Sequence, residues 1–413
     1  MVRDMLRIEH TETPADTATD DPRGPTKRYA DALWQSHPRI SPDWWHEALG
    51  HTVGKLALDW RTHISSPQAL TEGCNLVVAS PATWTQTCAH LQGQPLPEAF
   101  TTVLMVPDAT LPEITPAFAV WSPAILPDAA TRQQVLEGLE RAVQQGCLEA
   151  YGVHLPAGVS LPLHQWLEEA ATAAATVWTR KKRPALRWVV VEQDLLNLSH
   201  VIHASTRHRD EAVSTLELAS RLGLAVLVLP LVVPAAAEPS QAALEALVQV
   251  AQTESALNEA LGGWPHAGDQ PLFSVLASLG QGYTPWPTPY VWHAWRVQVW
   301  PHVQATWQKL ATEREDTLMA AYLAAWDALL PHGENLSTAA AQPVLAQVLS
   351  SLMPHLPGVW QAADPTTQSL AVLTSLPAVT AVAVSQMPPV ALLRDVPALP
   401  DVAQVLQGVD NAL

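Results

Sequence analysis

The stretch "LERAVQQGCLEAYGVHL", residues 139–155, decides the fold prediction. It begins inside the run 131–146, where apolar residues recur at three- and four-residue steps and so mark one face of a helix. Gly146 stands where a helix commonly ends on a glycine. Residues 147–153 are then apolar enough for a buried strand. The stretch therefore predicts a helix, a glycine stop and a strand.

The same order of helix and strand occurs three more times along the chain. The helical runs are 161–178, 214–223 and 368–377, and the apolar strands that follow them are 186–191, 224–229 and 379–385. Strands that are apolar throughout and alternate with helices indicate a parallel sheet covered by helices. The extent of the alternation favours a closed barrel. We therefore predict an α/β fold of the (β/α)8 TIM-like type.

We divide the chain into four parts. Residues 1–50 are predicted to be an N-terminal extension, partly extended, and residues 51–235 the first part of the barrel. Residues 236–365 interrupt the alternation, and we interpret them as a large helical, tryptophan-rich insertion before the last strand. Residues 366–413 then supply the last barrel strand, a helix and a C-terminal tail.

Composition excludes several classes of partner. The chain has 39 Asp and Glu against 22 Lys and Arg, a formal net charge of −17. Such a surface repels phosphate, so we expect no nucleic acid partner.

Cysteine spacing and apolar runs bear on the compartment. The 3 cysteines lack paired spacing, which is typical of a reducing compartment. The longest apolar run, 222–237, contains two prolines and is shorter than the roughly 20 residues that span a bilayer, so we expect no transmembrane helix.

Several passages resemble the aldo-keto reductase family, whose members are (β/α)8 barrels that bind NADPH. The opening stretch resembles the family's passage from helix 4 to strand 5. Other passages resemble strand 2 (72–84), strand 4 (103–108), strand 6 (189–197), strand 7 (219–231), and strand 8 with the phosphate loop (376–393). The matches to strands 2 and 4 lie too close together for the family's intervening elements. We therefore expect a barrel that is incomplete or remodelled around strands 2–4.

The resemblance implies a catalytic tetrad of Asp, Tyr, Lys and His. The motif places Val78 at the Asp position, Thr83 at the Tyr position and Met105 at the His position. The Lys belongs on strand 3, but no lysine occurs between Lys55 and Lys181. Since carbonyl reduction needs a positioned general acid, we predict that the tetrad is degenerate and that the chain has no catalytic residues of this kind.

The cofactor positions implied by the resemblance are degenerate as well. In the family, hydrogen-bonding, aromatic and basic residues hold the NADPH, and this chain has other residues at those positions. The positions carry His154, Leu155, Val190, Val228, Ser385, Gln386 and Met387. Without those groups the polar parts of a dinucleotide would be buried unpaired. We therefore predict that the chain binds no cofactor.

Two histidine patterns are candidates for metal sites. In "WHEALGH", His46 and His51 are five residues apart, so on a helix they point about 140° away from each other. His200, His203 and His208 follow the strand 186–191, at spacings that could place two of them on a metal or leave all three as polar loop residues. No further ligand completes either set, and we predict no metal site.

The run "YVWHAWRVQVWPHVQATWQKL", residues 290–310, has a wide apolar helical face. Such a face is typical of a buried core. Because tryptophan-rich stripes also anchor interfaces, docking to a partner stays open, with four interface candidates: Trp292, Trp295, Trp300 and Trp307.

Together these features favour a non-catalytic aldo-keto reductase-like pseudoenzyme that acts as a structural accessory subunit. Its partners would be other protein subunits of a large assembly at or near a membrane. We expect a mitochondrial complex such as an ATP synthase or respiratory complex, or otherwise a cytoplasmic location. The alternatives are an active NADPH-dependent reductase with a relocated tyrosine (Tyr151, Tyr283 or Tyr290) and a barrel that binds an apolar ligand or lipid.

Overall fold

The fold is described from a computed structural model. The residues it describes are 56–62, 64, 74–92, 100–114, 116–123, 126–156, 161–179, 184–202, 204–208, 211–230, 238–260, 286, 288–314, 317–356, 358–376 and 378–384. The candidates His46, His51, His203, Ser385, Gln386 and Met387 lie outside these residues, as does the predicted extension 1–50.

Eight parallel strands close into a barrel, which confirms the predicted TIM-like α/β class. Their bounds are β1 Leu56–Trp60, β2 Leu76–Ala79, β3 Thr101–Val106, β4 Phe118–Trp121, β5 Ala150–Leu155, β6 Leu186–Glu192, β9 Ala225–Leu229 and β10 Ala381–Val384. Each strand pairs with its neighbours in chain order, and β10 pairs with β1 to close the ring. A separate antiparallel hairpin, β7 Thr206–His208 with β8 Glu211–Val213, follows β6.

The barrel is complete around strands 2–4, contrary to our expectation. Residues 101–106 form the third strand rather than the fourth, and the fourth is β4, which pairs with β3 and β5. The sequence matches lie close together because they hold the adjacent strands β2 and β3, which are joined through the helix Pro81–Gln92. The numbering of the second match as strand 4, not a missing strand, therefore accounts for the spacing.

Helices connect most of the strands. Those of the barrel region are α1 Pro81–Gln92, α2 Ala129–Gln144, α3 Leu163–Val177, α4 Ser199–Ile202 and α5 Thr215–Arg221. Gly146 and Gly223 follow α2 and α5 with φ of 74° and 66°. Only glycine adopts that backbone readily, so the predicted stop at Gly146 is confirmed, and Gly223 ends α5 in the same way.

Between β9 and β10 the described residues are helical. The bounds are α6 Gln241–Ala260, α7 Pro289–Ala294, a π-helical turn Trp295–Val299, α8 Trp300–Arg314, α9 Thr317–Leu329, α10 Gly333–Leu352, α11 Gly358–Gln361 and α12 Pro365–Ser375, with 3-10 turns at Leu330–His332 and Met353–His355. The chain divides into two compact units, and residues 232–347 belong to the helical one.

The tryptophans of the run 290–310 lie in the core of the helical unit. The four interface candidates, Trp292, Trp295, Trp300 and Trp307, are each 4–5% exposed. Trp295 stacks on Trp326 with ring centroids 5.1 Å apart. Gly333 lies against the Trp292 ring, where a side chain would collide with it. These tryptophans therefore pack inside their own unit, which favours the buried-core interpretation of this face over docking to a partner.

The barrel has its own core. Alternate residues of all eight strands form one buried cluster inside the ring. Trp188 and Phe118 meet there edge to face, with ring centroids 5.6 Å apart. Gly152 borders Trp188 so closely that a Cβ would overlap it. The interior is thus filled with side chains, as in other small parallel barrels.

Candidate functional site at the barrel mouth

Polar side chains gather where the barrel strands end. Asp59 is on β1 and Arg61 just beyond it, Ser122 follows β4, His154 is on β5 and Glu192 ends β6. The carboxyl ends of parallel strands meet at one mouth of the barrel, and that mouth is where enzymes of this architecture have their active sites. These five residues are therefore the candidate site.

Three of the residues form a chain of contacts across neighbouring strands. The Ser122 Oγ lies 2.8 Å from His154 Nδ1, and His154 Nε2 lies 3.5 Å from Glu192 Oε1. The first distance is a hydrogen bond, and the second is within ion-pair range but too long for a good hydrogen bond. His154 is only 8% exposed, and its Nε2 makes no hydrogen bond.

The other two residues form a forked ion pair. Arg61 Nε and Nη2 donate to the two carboxylate oxygens of Asp59 at 2.9 and 2.8 Å. Burial opposes the charge of Arg61, but the hydrogen bond to Asp59 and the attraction of Asp59 and Glu192 outweigh it and raise the pKa of the guanidinium. A permanent positive charge thus stands within electrostatic range of the Glu192 carboxylate.

The three degenerate tetrad positions do not meet at the mouth. Val78 and Met105 are part of the barrel's interior cluster and are 0% and 5% exposed. Thr83 lies in the first turn of α1, where its Oγ1 exchanges hydrogen bonds with the backbone of Ser80. Met105 matches the His position only if its strand is the fourth, and the structure makes that strand the third. The residue that follows the actual fourth strand is Ser122.

The degenerate cofactor positions divide into two groups. Leu155, Val190 and Val228 are buried in the barrel and are at most 1% exposed. His154 belongs to the contact chain with Ser122 and Glu192, so this position keeps a hydrogen-bonding group of a different kind.

The remaining candidates lie elsewhere. His200 is buried, with its Nδ1 3.4 Å from Thr215 Oγ1, and His208 is on the β7–β8 hairpin. Within the described ranges no group of three or more His, Cys, Asp and Glu side chains could hold a metal ion.

Of the tyrosines proposed for a relocated reductase, the one with a described side chain does not lie at the mouth. The Tyr151 hydroxyl donates to Glu140 of α2, and burial raises the Tyr151 pKa well above its usual value. The side chains of Tyr283 and Tyr290 lie outside the described residues.

Sequence reasoning missed Asp59, Arg61, Ser122 and Glu192 as site residues. A usable signal was present, because each follows or ends a short apolar run: "LALDWR" (56–61), "FAVWS" (118–122) and "VVVE" (189–192). Two of these runs were not recognised as strands. Their polar ends therefore could not be assigned to a common mouth.

No protein-family model matches the chain, and no curated protein matches it. The strands alone define its class, a closed parallel α/β barrel of the TIM type. Among the residues that the structure describes, no helix has both the length and the apolar character needed to cross a bilayer.

Proposed function

We propose that the chain is an aldo-keto reductase-like barrel that has lost carbonyl reduction and serves as a structural accessory subunit of a larger assembly. One observation carries the proposal. The positions at which the resemblance expects the Asp and the Tyr of the tetrad carry Val78, packed in the barrel interior, and Thr83, whose hydroxyl is bonded to the backbone of Ser80.

Carbonyl reduction requires a proton donor whose acidity is tuned by a neighbouring charge. Val78 has no charge that could tune a proton donor, and the Thr83 hydroxyl at the donor position is bonded to the Ser80 backbone at the start of its helix. The third strand, Thr101–Val106, carries no lysine. The sequence comparison matched this run to the fourth strand; as the third strand, its composition supports the absence of a Tyr-Lys pair.

A relocated reductase is less well supported. Of the three tyrosines that could replace the missing acid, Tyr151 is held by Glu140 between β5 and α2. Burial stabilises its protonated form, which makes it a weak acid. The assembly and the organelle stay predictions from the sequence.

The proposal predicts that the purified protein does not bind NADPH. The 17 tryptophans provide a fluorescence signal for a titration. We expect no saturable quenching up to about 1 mM NADPH, after correction with N-acetyltryptophanamide as an inner-filter control. A saturable change with a micromolar Kd would contradict the loss of the cofactor site.

The accessory role is tested separately, by native mass measurement of a tagged chain from its source cells. We expect the chain in a particle much heavier than its 44.6 kDa. Migration as a free monomer in a gentle lysate would refute the accessory role.

A further inference from the structure

We propose that Ser122, His154 and Glu192 form a nucleophilic relay that hydrolyses short-chain acyl esters at the barrel mouth. This activity goes beyond the proposed function, because it uses neither the lost reductase groups nor NADPH. It assigns a catalytic role to the contact chain at the ends of β4, β5 and β6.

The geometry satisfies the general requirements for an activated serine. A nucleophile must lie within hydrogen-bond reach of a base, and a third group must orient that base. Ser122 Oγ and His154 Nδ1 are 2.8 Å apart. Glu192 Oε1 lies on the far side of the ring, 3.5 Å from Nε2. Contacts of this kind are commonly long in an unliganded enzyme and tighten with substrate.

The relay gives each ring nitrogen its own role. With the Ser122 hydroxyl donating to Nδ1, the neutral ring carries its proton on Nε2, which faces the carboxylate. When His154 takes the serine proton it becomes an imidazolium beside Glu192. The carboxylate stabilises that charge, and the guanidinium of Arg61, which is paired with Asp59, lies within electrostatic range of the carboxylate.

The reaction proceeds in two balanced steps. Ser122 Oγ attacks the ester carbonyl while its proton passes to His154 Nδ1, and the alcohol leaves with that proton as the acyl–serine bond forms. Water then attacks the acyl carbonyl and gives a proton to His154. The acyl–serine bond breaks, Ser122 regains the proton, and the carboxylic acid departs.

The interior of the barrel limits the substrate. Val120 lies one interior layer below Ser122, and Val190 lies one layer below Glu192. Both are fully buried. An acyl chain on Ser122 therefore extends on the mouth side and not into the barrel. The filled interior therefore gives a long acyl chain no contacts that would favour it, and we expect acetyl- to butyryl-sized groups to react faster than long chains.

A fluorophosphonate probe tests the relay directly. In this reaction Ser122 Oγ displaces fluoride from phosphorus, and the serine proton passes to His154. We expect labelling of Ser122, located by peptide mass spectrometry, in the folded chain and not in the heat-unfolded chain. Ser122→Ala should abolish the labelling, and His154→Gln should slow it about 100-fold or more.

The control variant is Ser369→Ala. The Ser369 hydroxyl is bonded to the Pro365 carbonyl of its own helix, so its removal should leave labelling unchanged. Glu192→Gln should slow labelling while Glu192→Asp restores part of the rate, a difference that loss of folding would not produce. Circular dichroism verifies that each variant is folded.

Two results overturn the relay: no labelling of the folded chain, or equal labelling rates in the folded His154→Gln variant and the unmodified chain. Chain-length preference is measured with p-nitrophenyl butyrate and decanoate. Faster hydrolysis of the butyrate is expected, and faster hydrolysis of the decanoate overturns the short-chain assignment. NADPH binding does not enter either readout, so this proposal and the accessory role fail separately.

Discussion

At the scale of single residues, Glu140 joins three parts of the barrel region. It is a fully buried side chain of α2. It accepts hydrogen bonds from the Tyr151 hydroxyl on β5 at 2.9 Å, from Trp178 Nε1 at 2.8 Å and from the Ala185 backbone N–H before β6 at 2.8 Å. Three donors on one buried carboxyl group satisfy its oxygens and hold the ends of these elements in register.

Replacing Glu140 by alanine should lower the free energy of unfolding by about 3 kcal/mol or more, because three buried donors lose their acceptor. Tyr151→Phe is the matched control and should cost only about 1 kcal/mol, since Glu140 keeps two donors. Urea unfolding measures both values. An equal loss in the two variants would contradict the shared-acceptor account.

At the scale of elements, α12 depends on a polar cap at its start. Asp364 accepts from the backbone N–H groups of Thr366 and Thr367 at 3.0 and 3.1 Å, and Pro365 follows it at the first helical position. Partial burial raises the Asp364 pKa, but the hydrogen bonds from Thr367 and Thr366 outweigh it and give a net lowering. The cap therefore contributes stability above the ordinary pKa of aspartate and loses it as the pH falls through the lowered value.

Asp364→Ala should lower the free energy of unfolding by about 1 kcal/mol at neutral pH, and Asp364→Asn should cost less because asparagine also caps helices. The deficit of the alanine variant should shrink toward about pH 3 as the aspartate protonates. Urea midpoints at the two pH values measure it. A deficit that stays constant with pH would assign the effect to something other than the charged cap.

Among the secondary-structure elements, some strands could be predicted from the sequence and others could not. The strands β5, β6, β9 and β10 were found because each follows a long amphipathic run or a glycine stop. The strands β1 and β4 have only five and four residues. Neither is preceded by a run with the apolar periodicity of an amphipathic helix. A run of that length does not distinguish a strand from an apolar turn.

At the scale of the whole molecule, the buried acids predict a loss of stability in alkali. Burial raises the pKa of the Cys74 thiol to about 12 and raises the pKa values of Tyr151 and Tyr322 above their ordinary range. The folded chain therefore keeps protons that the unfolded chain releases from about pH 9 upward. Their contribution is complete below that range and is lost as the pH rises through it.

We expect the urea midpoint to fall steadily between about pH 8 and pH 11. Tyr151→Phe, which has no phenol to ionise, should show a shallower fall from a lower starting value. A midpoint that does not change over this range would contradict the assignment of these three groups as buried and protonated.

The class of the whole molecule was predictable because alternating helices and apolar strands admit few arrangements. The candidate site could not be predicted in the same way, because its residues are distant in sequence and belong to different strands. Ser122, His154 and Glu192 come from three strands and meet only once the strand order is known. Only His154 was singled out from the sequence, and then as the loss of a cofactor group.

The pairing of β1 with β10 also determines when the barrel can be completed during synthesis. Leu56 of β1 lies opposite Val382 of β10. The strands β9 and β10 are also paired, although the helical unit separates them along the sequence. A nascent chain on the ribosome therefore holds seven barrel strands with two unpaired edges until β10 emerges. Open strand edges recruit other strands, and pairing across such a long separation is slow. Chains truncated before residue 381 should consequently depend on chaperones and accumulate in aggregates.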